Sequence, residues 1–155
     1  MKIEKQVCSL ELAKQLDALG VKQESLFWWH YIDEYAYSVK FITSRAETSG
    51  TRLYSAFTAS ELANMLPIYI DTKQNEPFNS FRFYMQTATL CLDGEFKKTY
   101  IINYECDTCT TQGIDAFVQH KLGTNIYSDN LADALAKMLI YLHEKELVEI
   151  NNTLK

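Results

Sequence analysis

The sequence predicts an α+β fold: a mostly antiparallel, aromatic-rich sheet with an N-terminal helix, a short middle helix and a C-terminal helix packed on it. Three observations carry this expectation. Apolar residues recur at helical spacing near both ends of the chain and once in its middle. Between those segments lie runs dense in Trp, Tyr, Phe, Ile and Thr, side chains that suit a pleated, half-buried surface. With 155 residues, 47% hydrophobic and 23% charged, the chain has the size and balance of one globular domain, residues 1–155, around a single core. Two prolines and five glycines argue against disordered or fibrous architectures, and there is no internal repeat.

The first helix is read from "SLELAKQLDALGV". Ser9 is placed to accept a hydrogen bond from a first-turn N–H, and Glu11 complements the helix dipole. Leu12, Ala13, Leu16 and Leu19 form the apolar stripe. Gly20 suits the left-handed position that ends a helix, with Val21 folding back on Leu16.

Next, "SLFWWHYI" reads as a strand buried on both faces, and "YAYSVKFIT" (35–43) as its partner across the short connection "DEYA". Along the first strand, Trp28 and His30 share one face while Trp29 and Tyr31 share the other. One tryptophan therefore points away from the core unless both faces are covered. "SRAETSGTR" is polar and reads as a loop. In "FTASELANMLP", Thr58 and Glu61 make a capping box, Phe57 and Leu62 a hydrophobic staple, and Pro67 closes a helix of at most three turns.

After the loop "DTKQNEPFNS", the run "FRFYMQTATLCLDGEFKKTYIINYEC" predicts a β-hairpin turning at Asp93-Gly94, a pair that tolerates positive φ. Phe81, Phe83 and Met85 alternate with Arg82, Tyr84 and Gln86. On the returning arm Tyr100, Ile102 and Tyr104 alternate with Thr99, Ile101 and Asn103. The expectation is one core face and one tyrosine-rich, partly exposed face. In "DTCTTQGIDAFVQHKLGTNIY" a short helix and a further strand both stay open. The last helix is expected over 128–147, capped by Ser128 or Asp129, with Leu131, Ala134, Leu135, Met138, Leu139 and Leu142 as its stripe. Burying four of those Leu and Met side chains contributes on the order of 6–12 kcal/mol before entropy is counted.

Composition also restricts function. The net charge is −5, and only Arg45, Arg52 and Arg82 among fifteen basic residues are arginines. A basic stripe for a phosphate backbone is missing, which argues against nucleic acid. No apolar run reaches the ~20 residues of a membrane span, and "MKIEKQVCSLELAKQL" has no secretory pattern. The expectation is cytoplasmic residence with Cys8, Cys91, Cys106 and Cys109 as reduced thiols. "CDTC" (Cys106 and Cys109) is the one spacing that suggests a metal or redox site, but it lacks a second pair of ligands and is followed by a loop rather than the helix start a redox pair needs. No phosphate loop, nucleophile elbow or zinc-protease motif occurs, and no cofactor is implied. His143 reads as a solvated helix-end residue. The candidate ligand-binding residues are Trp28, Trp29 and His30, with Arg82 as the phosphate fork held on a strand.

Three segments, "LAKQLDALGVKQESLFWW", "FTASELANMLP" and "LADALAKMLIYLHEKELV", resemble a family of small proteins widespread in bacteriophage, prophage and gut-bacterial genomes. Its layout is "LA..L..LGV.Q.S.F.W", "FT..EL..MLP" and "A.AKMLIYL", so the resemblance covers both ends and the middle of the chain. It implies a phage-type accessory protein in the host-cell cytoplasm and carries over no catalytic residue. The resulting expectation is a non-catalytic protein, of anti-defence type, that binds a host protein or a small nucleotide-like molecule. The alternative is an enzyme with dispersed catalytic residues or a metal held by Cys106 and Cys109. Homo-oligomerisation stays open.

Overall fold

The computed structural model describes residues 2–33, 36–41, 54–71, 80–92, 94–106 and 125–148. A 3-10 turn at Ile3–Lys5 leads into α1 (Leu10–Ala18). Strands β1 (Phe27–Asp33), β2 (Ala36–Phe41) and β3 (Tyr54–Ser55) follow, then α2 (Ala59–Met65). Strands β4 (Tyr69–Asp71), β5 (Ser80–Leu92), β6 (Glu95–Cys106) and β7 (Ile126–Ser128) precede α3 (Leu131–Glu144). The α+β class and the placing of its three helices are those expected. The strands divide into two antiparallel sheets, ordered β2-β1-β3 and β4-β5-β6-β7. Helix α1 packs against β3, α3 packs against β6 and β7, and α3 touches both α1 and α2, so the helices bridge the two sheets. One core joins Trp29, Val39 and Tyr54 of the first sheet to Phe81, Ile102 and Tyr104 of the second through residues of all three helices.

Helix α1 ends as its sequence directs. Gly20 has φ +84°, its N–H reaches the Asp17 carbonyl at 3.0 Å, and the Val21 N–H reaches the Leu16 carbonyl at 3.0 Å, closing a Schellman motif. Its start differs. The Ser9 side chain caps nothing; instead the Ser9 N–H donates to Asp133 Oδ1 at 2.6 Å, tying α1 to the first turn of α3. Asp133 takes the N-cap residue's own N–H, the role a capping-box side chain fills locally, because the N-termini of these two helices lie together. The same segment is held by Cys8 N–H to the Phe57 carbonyl (2.8 Å) and by Asn130 Nδ2 to the Val7 carbonyl (2.9 Å).

The capping box of α2 is present in both directions: Glu61 N–H donates to Thr58 Oγ1 at 3.3 Å, and Thr58 N–H to Glu61 Oε2 at 2.7 Å. The Glu61 carboxylate also accepts from Ser25 Oγ (3.1 Å) and the Leu26 N–H (3.2 Å), which fixes the chain entering β1. Phe57 and Leu62 are both buried.

Helix α3 is shorter than 128–147. Ser128 belongs to β7 opposite Tyr100, and the cap is Asn130, whose side chain accepts from the Ala132 N–H at 2.9 Å. Besides the expected stripe, Ala132, Ala136 and Ile140 are buried too, so α3 is covered on most of its circumference rather than along one face. It ends in a second Schellman motif, with Glu146 N–H to the His143 carbonyl and Leu147 N–H to the Leu142 carbonyl, both 2.9 Å. Here Glu146 holds the left-handed position at φ +55°.

Candidate ligand face on the four-stranded sheet

The sequence candidates fall in different places. Trp29 is a core residue, 9% exposed, with Nε1–H donating to the Cys8 carbonyl at 3.0 Å. Trp28 lies on the opposite face of β1 and is 5% exposed, so both faces of this strand are covered. The expected exposed member of the tryptophan pair does not exist. His30 shares the Trp28 side, half-buried, and its buried Nδ1 has no hydrogen-bond partner among the described residues. Arg82 stands on the other sheet, in β5, and is not brought together with Trp28 or His30. Arg45, Arg52 and Cys109 lie outside the described residues. Cys106 ends β6 opposite Phe81, and the described residues contain no cluster of three or more His, Cys, Asp or Glu able to hold a metal ion.

What the second sheet presents follows from alternation. Strand side chains point to opposite faces at successive residues, and directly paired residues share a face. Phe81, Phe83, Tyr100, Ile102 and Tyr104 turn into the core. Phe83 and Tyr104 meet edge to face with ring centroids 5.5 Å apart, and the Tyr104 hydroxyl donates to the Pro67 carbonyl at 2.6 Å. Burial raises the Tyr104 phenol above its ordinary pKa.

The opposite face carries Arg82 and Tyr84 from β5, Ile101, Asn103 and Glu105 from β6, Tyr127 from β7 and Tyr69 from β4. The register sets Tyr69 and Glu105 on either side of Arg82, and Asn103 beside Tyr84. Neighbouring strands run roughly 5 Å apart, so Tyr69, Arg82 and Tyr84 form one contiguous surface. Tyr69, Tyr84 and Tyr127 are 49%, 46% and 48% exposed, whereas Thr99, Ile101 and Asn103 of β6 on the same face are buried. Arg82 is exposed and makes no hydrogen bond or ion pair with any described residue.

Beneath these side chains runs a polar network. Asn103, 1% exposed, donates through Nδ2 to Glu105 Oε1 (3.0 Å) and to Asn125 Oδ1 (2.9 Å). Asn125 Nδ2 in turn donates to the Tyr127 hydroxyl at 2.9 Å. Asn103 Oδ1 is buried with no donor among the described residues, an unusual state for a native amide. Sequence reading did not single out Asn103, Asn125 or Tyr127. The available signal was one amide flanked by Ile101, Ile102 and Tyr104 in an otherwise apolar stretch.

The exposed part of the arrangement can stack a flat group on phenol rings and donate from a guanidinium, while the Asn103 carbonyl lies buried. The described groups with resolved pKa shifts lie elsewhere: Cys8, a free thiol pushed up to about 12 by burial, Tyr104 on the core face, and Asp133 at the α1–α3 junction. A thiol so raised is not a nucleophile at neutral pH. No helix of the described residues is long and apolar enough to cross a membrane. No family model, curated protein or solved structure matches the chain.

Proposed function

We propose that the chain is a non-catalytic binding protein whose site is the tyrosine face of the four-stranded sheet. Its ligand is a small planar molecule of nucleotide type bearing at least one phosphate. The observation that carries this reading is the exposed Arg82, unpaired among the described residues, with Tyr69 opposite it on β4 and Tyr84 two residues along β5. Stacking on an aromatic ring contributes ~1–3 kcal/mol per base. A guanidinium binds phosphate oxygens through two parallel hydrogen bonds. A long nucleic acid fits poorly, because Glu105 shares the face and the chain carries −5 overall. The resemblance to small phage and prophage proteins supports a sequestering role, removing a host signalling molecule as an accessory of anti-defence type.

Calorimetric titration with nucleoside monophosphates, cyclic mononucleotides and cyclic dinucleotides tests the reading. One class should bind. Tyr84→Ala should weaken it about tenfold or more. Arg82→Ala should remove the preference for the phosphate-bearing form over the parent nucleoside. Binding by none of the three classes, or binding that ignores both variants, overturns it.

A further inference from the structure

The face that carries Arg82 also carries a fixed negative charge. The register sets Glu105 of β6 directly opposite Arg82 of β5 on the same face, where facing Cβ atoms stand roughly 5 Å apart. Glu105 is half-buried, and its Oε1 accepts from Asn103 Nδ2 at 3.0 Å. Asn103 is 1% exposed and is held in turn by Asn125 Oδ1 at 2.9 Å, so the carboxylate is tied to the sheet. Lys97, on the same face of β6, lies roughly 27 Å along the strand from Glu105 and pairs with Glu95 at 3.2 Å. That separation exceeds the ~8 Å over which exposed charges act in physiological salt. Arg82 and Glu105 thus stand side by side as opposite charges, within a chain of net −5.

A phosphate on the Arg82 fork meets both charges. A phosphodiester carries one negative charge, which a guanidinium matches with two parallel hydrogen bonds. A terminal phosphate monoester carries about 1.5–2 negative charges at neutral pH. Its additional charge finds the guanidinium already matched and the Glu105 carboxylate beside it, and the −5 of the chain acts in the same direction.

Resting on the nucleotide reading of this face, we propose that it selects an internal phosphodiester, as in cyclic nucleotides, over a terminal phosphate monoester. Glu105 sets the preference. Repulsion between unit charges roughly 6 Å apart, at the high dielectric of an exposed face, amounts to a roughly three- to tenfold difference in affinity. Ligands ending in a triphosphate are disfavoured further.

Calorimetric titration of the full chain with matched pairs of one base tests the selection. A 3′,5′-cyclic mononucleotide is compared with its 5′-monophosphate, and a cyclic dinucleotide with the linear dinucleotide bearing a 5′-terminal phosphate. In the pair that binds, the cyclic member should be roughly three- to tenfold tighter, with a ratio that shrinks as salt rises. The methyl ester of the terminal phosphate removes the additional charge without closing a ring, and should bind like the cyclic form. Glu105→Gln keeps an oxygen for Asn103 and should bring the ratio close to one by strengthening the monoester. The methyl ester needs no variant and decides the matter should Glu105→Gln fail to fold. Equal binding within a pair, a methyl ester as weak as the monoester, or an undiminished preference in Glu105→Gln overturns the proposal and leaves the nucleotide reading standing. Binding by neither member of either pair overturns both.

Discussion

Removing the Glu61 carboxylate should cost far more than an ordinary helix cap. Its Oε2 accepts from Thr58 N–H (2.7 Å), Thr58 Oγ1 (2.7 Å) and Ser25 Oγ (3.1 Å), and its Oε1 from the Leu26 N–H (3.2 Å). In Glu61→Ala, Leu26 is 60% exposed, so its N–H turns to water at little cost. Ser25 is buried but keeps the Ala56 carbonyl at 3.2 Å as a second acceptor. The half-buried Thr58 loses the acceptor for its N–H and for its hydroxyl at once. Hydrogen bonds to a charged group contribute about 1.5–3 kcal/mol and a cap about 0.5–2, so a total near 3 kcal/mol is expected. For a chain of this size that lowers Tm by about 6–12 °C. Glu61→Gln should lose only about 1 kcal/mol, because its amide oxygen can take the three-donor position while the NH2 faces the exposed Leu26 site. Urea unfolding of the parent, both variants, Thr58→Ala and the Thr58→Ala, Glu61→Ala pair measures the losses and their coupling. A Glu61→Ala loss below 1 kcal/mol, or a glutamine variant as weak as the alanine one, would refute the hydrogen-bond account.

Leu135→Ala should lose about 2–5 kcal/mol in the same assay, since Leu135 is 1% exposed in the shared core. Glu146→Gly should raise stability by about 0.5–1 kcal/mol by relieving a non-glycine residue at φ +55° in a helix-ending motif; an unchanged melting curve would discount that strain. Asp133 has its carboxyl pKa raised, chiefly by burial. Between the ordinary and the raised value the folded chain holds a proton that the unfolded chain has released, so stability falls as pH rises through that window. Asp133→Asn keeps an oxygen for the Ser9 N–H and removes the charge, so its advantage over the parent should grow as pH climbs out of the carboxylate range and then level off. Unfolding curves recorded from about pH 4 to 7 check this, and a constant difference would contradict it.

Features that depend on a few adjacent residues were legible in the sequence. The Thr58–Glu61 capping box, the left-handed Gly20 and the turn at Gly94 are each closed by groups within a few positions, so their chemistry is written locally. Alternation likewise set Phe81, Phe83 and Met85 on one face of β5 and Arg82, Tyr84 and Gln86 on the other, but with apolar groups on both faces it did not say which one meets the core. What depended on partners distant in the chain was not legible. Ser9 looks like a cap, yet the acceptor at that helix start comes from Asp133, and only the meeting of α1 with α3 reveals it. Ala132 and Ala136 say little by their own hydrophobicity, yet they are buried because α3 is enclosed by two helices and a sheet. Trp28 and Trp29 were told apart by strand parity, but parity cannot say that both faces of β1 are covered. The grouping of the seven described strands into two sheets was a tertiary decision as well. Backbone donors and acceptors are alike in every strand, so side-chain packing across the helices selects which edges meet.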